Sequence, residues 1–473
     1  MVLKSESDLA DLLGERWVVN KPEVVKKYGE EHVNTCYELV APEPAEDCLL
    51  VKPGSAREVA EVLEYAGENS LPVFPRGGGT GLAANAVPDR PGLILALERL
   101  NDKIEVDETN LTVTCGAAVT LGDLLAELED HESLYFPLHP GDEGAQIGGM
   151  AASNAGGVRA VKDGIMRDQI RGLKAVLPTG ELATFGNPDG TLIKNNAGYD
   201  LMNLMIGSQG TLSVIVEVTL ELKPRPQQSA TLVIPFDEKE EAFAAVPDFL
   251  QEGHIPMAVE YVDRGQIMAT ADDLGKSWPA DEGEGDLMIM LTGAAEEDIY
   301  ELAAAIEGIC RERGALNCYI AETAREQRDL LEVRSHILPA VEEDVLDGID
   351  ITVPRSRLAE AMRGIENISS EYGVDIPMLA HAADGNLHPF LMHEGDDPEK
   401  IPDYYEDLKH DLYDLTLELG GTVTGEHGVG SMRKEELARQ YSEREIELMR
   451  RIKRAIDPQG ILNPGKIFPD RVC

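Results

Sequence analysis

Short apolar segments alternate with amphipathic segments along most of the chain. Runs such as LLVKP, GLILAL and LTVTCGAAV predict strands. Between them, residues 55–70 (SAREVAEVLEYAGENS) have the spacing of an amphipathic helix, and Ser55 followed by Glu58 predicts a capping box at its start. Residues 1 to about 40, with DLADLLGERW and KPEVVKKYG, predict helices instead. The pattern is typical of an α+β or mixed α/β protein.

The pattern changes near residue 225. The segments ATLVIPF, MAVEYV and DLMIMLTG predict strands, while DEKEEAFAAVPDFLQEG, AEEDIYELAAAIEGICRERG and SRLAEAMRGIENISSEYG predict long amphipathic helices. The tail SEREIELMRRIKRAIDPQGILNPGKIF predicts a helix that ends at Asp-Pro. We therefore expect an N-terminal helical segment at 1–45, one domain at 46–225, a second at 226–425 and a C-terminal segment at 426–473.

Composition narrows the function classes. The chain has 473 residues and a net charge of −45, which disfavours nucleic-acid binding and suggests a high-salt source as one hypothesis. It contains no run of about 18 apolar residues and no signal-peptide pattern, so we expect a cytoplasmic protein without a membrane span. The six cysteines form no CxxC pair, which argues against an iron–sulfur or zinc–thiolate site.

Three glycine-rich segments lie between residues 75 and 215. They are PRGGGTGL (75–82), HPGDEGAQIGGMAASNAGG (139–157) and NNAGYDLMNLMIGSQGTLSVI (195–215). Consecutive glycines let backbone N–H groups converge on an anion such as a diphosphate, although neither a P-loop nor GxGxxG opening a helix is present. A single such segment is equally explained by a flexible turn. Three of them indicate a large, phosphate-bearing cofactor that lies close to the backbone.

These segments resemble the FAD-binding domain of the vanillyl-alcohol-oxidase/p-cresol-methylhydroxylase superfamily of flavoproteins, over about residues 45–470. The resemblance implies an α+β fold: two subdomains that bind FAD, a ferredoxin-like α+β cap domain that holds the substrate, and a C-terminal helical segment that returns to the FAD domain. Some members attach FAD through a histidine after the triple glycine. Thr80 stands there, so we expect non-covalent FAD. The implied FAD contacts are Arg76, Gly77, Gly78, Gly79, Thr80, Gly81, Pro140, Gly141, Asp142, Gly148, Gly149, Ser153, Asn154, Gly156, Gly157, Gly210, Ile215 and Asn463.

A polar cluster, HAADGNLH (381–388), is followed downstream by TGEHGVG (424–430). His381, His388 and Glu426 supply two imidazoles and one carboxylate, which suit a divalent metal such as zinc, manganese or iron with open positions. His427 is then a candidate acid or base. The alternative is a strand and turn with one histidine in the core.

The pairing of HxxDGNxH with GEHG resembles the D-2-hydroxyacid dehydrogenase branch of that superfamily. This branch includes D-lactate dehydrogenases, the flavin subunit of glycolate oxidase and D-2-hydroxyglutarate dehydrogenase. The resemblance implies that His381, His388 and Glu426 bind the metal. It further implies that Asn386, His427 and Arg334 contact substrate, Arg334 through the carboxylate. The alternative for Arg334 is a surface arginine on an amphipathic helix.

The expected reaction is hydride transfer from C2 of a small D-2-hydroxy acid to flavin N5, assisted by the metal. Where 2-hydroxyglutarate enzymes carry a lysine, this chain has Gly348, which favours a monocarboxylate: D-lactate first, then glycolate. Without a cysteine cluster or nicotinamide fingerprint, the electrons need an external acceptor: an electron-transfer flavoprotein, an iron–sulfur subunit, a cytochrome or a quinone.

We also expect a homodimer or a subunit of a complex. Any association with the inner membrane would be peripheral and through a partner. Three alternatives remain open. One is 2-hydroxyglutarate oxidation or membership of a multi-subunit glycolate oxidase. Another is phenol oxidation or ether-lipid synthesis on the same fold. The third is a non-catalytic role, either as an FAD-bearing scaffold subunit or as an acidic binding protein without cofactor.

Overall fold

The computed structural model describes residues 5–187, 189–393 and 400–469. Within these ranges, no helix combines the length and apolar character needed to cross a membrane. The five cysteines that they contain are free thiols; Cys473 lies outside the described residues. The chain forms three main β-sheets, two in its N-terminal half and one in its C-terminal half.

The N-terminal segment is helical, as expected, but also contributes a strand. Its elements are α1 (Glu6–Leu13), a 3₁₀ turn (Glu15–Trp17), β1 (Val18–Val19), α2 (Pro22–Gly29) and α3 (Val33–Cys36). The first helix stops at Leu13 because Gly14 adopts a positive φ of 91°. Strand β1 pairs antiparallel with residues 50–51, so this segment joins the first sheet rather than standing apart.

The first sheet has the strand order β1-β2-β4-β3. It contains β2 (Leu49–Val51), β3 (Val73–Arg76) and β4 (Leu93–Ala96), which run parallel. Helix α4 (Ala56–Asn69) connects β2 to β3, as predicted. The Ser55 hydroxyl accepts from the Glu58 amide, but the Glu58 carboxylate accepts from Gly54 N, not from Ser55 N. The predicted capping box is therefore only half formed.

The second sheet is antiparallel, with the order β5-β6-β10-β8-β9. Its strands are β5 (Ile104–Asp107), β6 (Thr112–Gly116), β8 (Ile170–Val176), β9 (Leu182–Gly186) and β10 (Val214–Glu221). Short helices pack against it: α5 (Leu121–Glu127), α6 (Ile147–Ser153), α8 (Met166–Gln169) and α9 (Leu201–Met205). The one-turn helix α7 (Ala160–Asp163) lies against the cap instead, where Val161 contacts the cap core. A separate two-stranded ribbon pairs β7 (Leu134–Tyr135) with β11 (Lys223–Pro224).

The third sheet forms the cap and has the order β15-β12-β14-β13-β18-β19-β16. Its strands are β12 (Gln228–Phe236), β13 (Ala258–Asp263), β14 (Gly285–Gly293), β15 (Tyr319–Ala321), β16 (Val345–Gly348), β17 (Ile351–Thr352), β18 (Met378–His381) and β19 (Asn386–Met392), with β17 paired to β19. The order β15-β12-β14-β13, with a helix after β12 and after β14, is that of the expected ferredoxin-like unit.

Helices cover both faces of the cap sheet, because alternate residues of each strand point to opposite faces. On β12, Leu232 and Ile234 pack with one set of helices and Val233 packs with the other. The first set is α10 (Lys239–Gln251), α12 (Glu296–Glu312), α15 (Leu358–Tyr372) and α16 (Tyr405–Glu418). The second is α11 (Arg264–Asp273), α13 (Ala324–Ser335) and α14 (Ile337–Val341). Cys36 and Tyr37 pack into this second face, which joins the N-terminal segment to the cap.

The C-terminal segment returns to the first sheet. It consists of α17 (Lys434–Gln440) and α18 (Glu443–Ile456), the latter ending before Asp457-Pro458 as predicted. Beyond it, Leu462 forms a parallel bridge with Val73, and Asn463 N donates to Val73 O. The last described residues therefore continue the sheet that leads into the first glycine loop.

Candidate active site

A long cavity runs along the N-terminal half of the protein and ends at the cap. Three segments form it: the loop after β3, the loop and helix within 140–156, and residues 209–215, which lead into β10. It encloses about 1260 Å³, including its open mouth. Of the residues predicted to contact FAD, the cavity is lined by Arg76, Gly77, Gly78, Gly79, Thr80, Gly81, Pro140, Asp142, Gly148, Gly149, Ser153, Gly156, Gly210 and Ile215.

Polar atoms on the cavity wall are suited to a nucleotide cofactor. Arg76 Nη1, Asn85 Oδ1, Gln146 Oε1 and Glu31 Oε2 are buried there, with no hydrogen-bond partner among the described residues. Buried polar groups are normally hydrogen-bonded, so these atoms point to a ligand that carries both acceptors and donors. A phosphate can accept from the guanidinium, while ring N–H and ribose hydroxyl groups can donate to the oxygens. These residues fit FAD.

Glycine is required where the walls come close together. A β-carbon on Gly79, whose φ is 76°, would overlap the Arg76 guanidinium. On Gly148 it would lie 2.6 Å from the β-carbon of Ala117, so glycine lets α6 approach this close. The sequence GGMAAS is thus a helix start on the cavity wall rather than an extended loop.

Four of the predicted FAD contacts are not among the residues that line the cavity. Asn154 ends α6 in the left-handed conformation, and its Oδ1 accepts from Arg167 N. Asn463 Nδ2 donates to the carbonyls of Asn85 and Gln209, two residues that line the cavity. The others are Gly141 and Gly157. In the third glycine segment, residues 195–201 are exposed, and the cavity is lined only from Gln209 onward.

The cluster HAADGNLH is a β-hairpin. Strand β18 ends at His381 and β19 begins at Asn386, with His381 opposite Asn386 and Leu379 opposite His388. The two histidines therefore lie diagonally on one face of the sheet, with ring centroids 5.3 Å apart. The Glu426 carboxylate meets them: its Oε1 is 3.3 Å from His381 Nε2 and 3.5 Å from His388 Nε2. The segment is therefore a strand and turn, and both of its histidines converge on a carboxylate; the metal role stays a prediction.

A second carboxylate orients His381. Glu260, on the neighbouring strand β13, lies opposite His381 and is fully buried, and its Oε1 is 2.8 Å from His381 Nδ1. This contact leaves Nε2 directed toward Glu426, the arrangement typical of a metal-binding histidine. Burial lowers the pKa of His381, but Glu260 and Glu426 outweigh it and raise that pKa well above the ordinary value. The centre therefore stabilises positive charge, and its three ligand atoms fit a divalent cation.

Arg334 is buried beside this centre. It lies on α13, is 9% exposed and forms an ion pair with Glu260, so it is not a surface arginine. Its Nη2 lies 3.4 Å from His381 Nδ1, and its buried Nε has no partner among the described residues. The Nη2 side of the guanidinium is thus paired, and the Nε–H is left to donate to another acceptor.

The loop that carries Glu426 and His427 is held by a buried aspartate. Asp350 Oδ2 accepts from the backbone amides of Gly425, Glu426 and His427 at 2.8–2.9 Å. Asn386 Nδ2 donates to Asp350 Oδ1 and to Ile351 O, so both of its amide hydrogens serve this framework. The structure therefore gives Asn386 a positioning contact beside its predicted substrate contact.

His427 stands between the two parts of the site. Its ring stacks on His388 with centroids 5.4 Å apart, and both His427 and Glu426 line the far end of the long cavity. Burial lowers the pKa of His427 below its ordinary value, although Asp350 opposes that shift. His427 is thus a neutral imidazole at the junction of the cavity and the three-residue cluster.

Comparison with known proteins settles the family. A profile described as FAD linked oxidases, C-terminal domain, matches residues 225–467, and a FAD binding domain profile matches residues 49–186. The chain belongs to the FAD-linked oxidase family. This FAD-linked oxidase is 39% identical to a D-lactate dehydrogenase of Archaeoglobus fulgidus over 430 residues, which is 91% of this chain and 93% of the relative.

It is also 33% identical to glycolate oxidase subunit GlcD of Bacillus subtilis, covering 89% of this chain and 88% of the relative. The solved structure of p-cresol methylhydroxylase superposes with a TM-score of 0.79 at 17% identity, over 99% of this chain and 97% of that one. The fold of the FAD-linked oxidase is therefore that of the vanillyl-alcohol-oxidase/p-cresol-methylhydroxylase superfamily, and the protein is an FAD-dependent oxidoreductase.

Sequence reasoning missed two carboxylates of the FAD-linked oxidase site, Glu260 and Asp350. Glu260 is the single charged residue in the apolar segment MAVEYV, and Asp350 is flanked by isoleucines in DGIDITV. Charged residues are seldom fully buried unless they are paired, so these positions carry a signal. Their partners lie 121 and 75–77 residues away in the sequence, and only the fold shows them.

Proposed function

We propose that this FAD-linked oxidase oxidises a small D-2-hydroxy acid to the 2-oxo acid, with D-lactate the first candidate and glycolate the next. The observation that carries the proposal is that the cluster of His381, His388 and Glu426, with His427 beside it, opens onto the flavin cavity. The D-lactate dehydrogenase and glycolate oxidase relatives support the same substrate class.

Each residue has a distinct task in this proposal. Bound FAD would accept the hydride from C2, and a divalent cation held by His381, His388 and Glu426 would act as the Lewis acid that lowers the pKa of the substrate hydroxyl. Arg334, through its free Nε, donates to the substrate carboxylate and fixes its orientation. His427 Nδ1 lies 3.9 Å from Asp350 Oδ2, so the opposite nitrogen, Nε2, accepts the hydroxyl proton.

Gly348 supports a monocarboxylate substrate. A β-carbon at this position would overlap the Tyr37 hydroxyl, so the strand has no room for a longer side chain there. A lysine that would bind a second, distal carboxylate is therefore excluded at this position, which disfavours 2-hydroxyglutarate. Electrons leave through an external acceptor of the kinds considered above, since the five described cysteines form no cluster for a relay.

The test is anaerobic reduction of the FAD-loaded protein, followed by flavin absorbance at about 450 nm. D-lactate, L-lactate, glycolate and D-2-hydroxyglutarate are added separately. We expect D-lactate to bleach the flavin, bleaching to be lost after EDTA treatment, and a divalent metal to restore it. No bleaching by any of the four acids, with FAD bound, would refute the substrate class.

The variant His427→Ala tests whether His427 is the general base of the proposed reaction. It should slow single-turnover flavin reduction by about 100-fold or more while FAD content stays unchanged, because general base catalysis contributes about 10²–10⁴. The matched control is His254→Ala, a half-buried histidine of the cap that is remote from the cavity lining. Normal reduction by the His427 variant would reject its role.

A further inference from the structure

A second cluster of metal-binding side chains lies where the N-terminal segment meets the cap. His32 and Cys36 are four residues apart and face each other across one helical turn, while Glu342 approaches from the 3₁₀ turn before β16. His32 Nε2 lies 3.1 Å from Cys36 Sγ, Cys36 Sγ lies 3.5 Å from Glu342 Oε2, and His32 Nε2 lies 3.7 Å from Glu342 Oε2. The three atoms form a nearly equilateral triangle.

This triangle has the dimensions of one face of a zinc tetrahedron. Zinc binds a thiolate sulfur at about 2.3 Å and nitrogen or oxygen at about 2.0–2.1 Å, with angles near 109°. Those bond lengths place the ligand atoms about 3.3–3.6 Å from one another. The three observed separations lie within about 0.5 Å of these values, so small side-chain movements would be enough to bind the ion.

Other roles for Cys36 fit less well. Its side chain is 1% exposed, whereas nucleophilic and redox-active thiols need access to their partners. A purely hydrogen-bonded trio would depend on a thiol, which is a weak donor. One cation satisfies the sulfur, the imidazole and the carboxylate together.

We propose that His32, Cys36 and Glu342 bind a structural zinc ion. The side chains of His32 and Glu342 are 38% and 28% exposed, which leaves one side of the cluster open to a water molecule as the fourth ligand. The expectation against a zinc–thiolate site relied on CxxC spacing. A site with one cysteine, in which Glu342 is 306 residues from Cys36, has no such signature.

The position gives the ion a specific effect. On the flavin side, His32 N donates to Gly79 O and Val33 N donates to Gly81 O, so these residues brace the glycine loop of the cavity. On the cap side, Glu342 precedes β16, the strand that leads to Asp350. Zinc would connect the glycine loop to the cap, and its loss should weaken retention of FAD. This inference is independent of the proposed substrate.

The experiment uses the full-length, FAD-loaded protein equilibrated with Zn²⁺ alone and then freed of unbound metal. Zinc per chain is measured by mass spectrometry for the wild type, Cys36→Ser and, as a matched control, Cys48→Ser, another buried cysteine. We expect Cys36→Ser to contain one zinc ion per chain fewer than the wild type, and Cys48→Ser to contain as much zinc as the wild type. X-ray absorption should show a Zn–S distance of about 2.3 Å in the wild type that is absent from Cys36→Ser.

The two metal sites can be distinguished. The double variant His381→Ala/His388→Ala should keep the Zn–S signal, because the active-site cluster contains no sulfur. Equal zinc content in the wild type and Cys36→Ser, or no Zn–S signal in the loaded wild type, would overturn the proposal. If Cys36→Ser does not fold, Glu342→Gln serves as the second variant, because it keeps the thiol. It should bind the zinc ion of this cluster at least 10-fold more weakly than the wild type, and unchanged zinc affinity would also overturn the proposal.

Discussion

Asp350→Asn should damage both stability and the reacting loop. The carboxylate is 3% exposed and accepts four hydrogen bonds at Oδ2, from the Thr424 hydroxyl and three backbone amides, and one at Oδ1 from Asn386. Burial raises its pKa, but His427 and His388 outweigh burial and lower it, so Asp350 is ionised. Hydrogen bonds to a charged group contribute about 1.5–3 kcal/mol each, against about 0.5–1.5 for neutral pairs.

The magnitude follows from how an amide would fit. The oxygen of the new asparagine amide would take the Oδ2 position, and its NH₂ group would face the Asn386 amide. This orientation costs least, because only the hydrogen bond from Asn386 is lost. We therefore expect the free energy of unfolding to fall by about 3–5 kcal/mol. Four hydrogen bonds are weakened by about 1 kcal/mol each and two amide groups face each other as donors, while removal of a buried charge offsets part of this cost. Because Glu426 and His427 would lose their anchor, metal affinity should also fall by about 10–100-fold.

Urea unfolding and anaerobic flavin reduction measure the two effects. The matched control is Asp344→Asn, an exposed aspartate just before β16, which should change neither unfolding nor flavin reduction. Thr424→Val removes the hydroxyl that donates to Asp350 and accepts from Gly428 N, and it should cost about 2–3 kcal/mol, less than Asp350→Asn. An Asp350→Asn protein with unchanged unfolding midpoint, metal affinity and reduction rate would refute the reasoning.

Four further predictions concern other parts of the chain. Burial lowers the pKa of Lys466 to about 8, so protonation of this lysine destabilises the folded state. Lys466→Met should therefore stabilise the protein below pH 8 by up to about 3 kcal/mol. Unfolding measured as a function of pH should show that this gain disappears as the pH rises from 8 toward 10.5. Gly348→Ala should lower the urea midpoint because its β-carbon overlaps the Tyr37 hydroxyl, and Tyr37→Phe should recover part of the loss; full tolerance of Gly348→Ala would contradict the packing. Because Thr80 replaces the tethering histidine, acid precipitation should release FAD into the supernatant, and a yellow precipitate would disprove non-covalent binding. With a net charge of −45, the melting temperature should rise between low and molar KCl, whereas a flat response would show that self-repulsion is unimportant.

Local patterns in the sequence predicted most of the elements. The amphipathic helices were correct because each buries one face with the helical period, as in α15, and strands such as β12, which is covered on both faces, showed as short continuous apolar runs. Strand β1 was missed because two residues are too few to show an alternation. The capping box failed in detail because the Glu58 carboxylate reaches Gly54 N, which depends on how the chain enters the helix.

In the candidate site, too, local motifs predicted some residues, and only the fold brings the others into place. The predicted metal ligands lie in two short motifs, 381–388 and 424–427, so the residues themselves suggested a cluster. Glu260 reaches His381 only through the pairing of β13 with β18. Asp350 reaches the 424–427 loop only through tertiary packing. Such contacts depend on strand register and long-range folding, which a local pattern does not contain.

The return of the C-terminal segment to the first sheet sets the order of events during synthesis. Leu462 pairs with Val73, and Asn463 fixes the carbonyls of Asn85 and Gln209, so contacts across nearly the whole chain finish the flavin cavity. Contacts this distant in sequence form slowly, because a long loop must close first. While the nascent chain is still attached to the ribosome and lacks these residues, the cavity wall is incomplete. A complete flavin cavity is therefore available only after residues 462–463 have been translated and have folded back onto the first sheet.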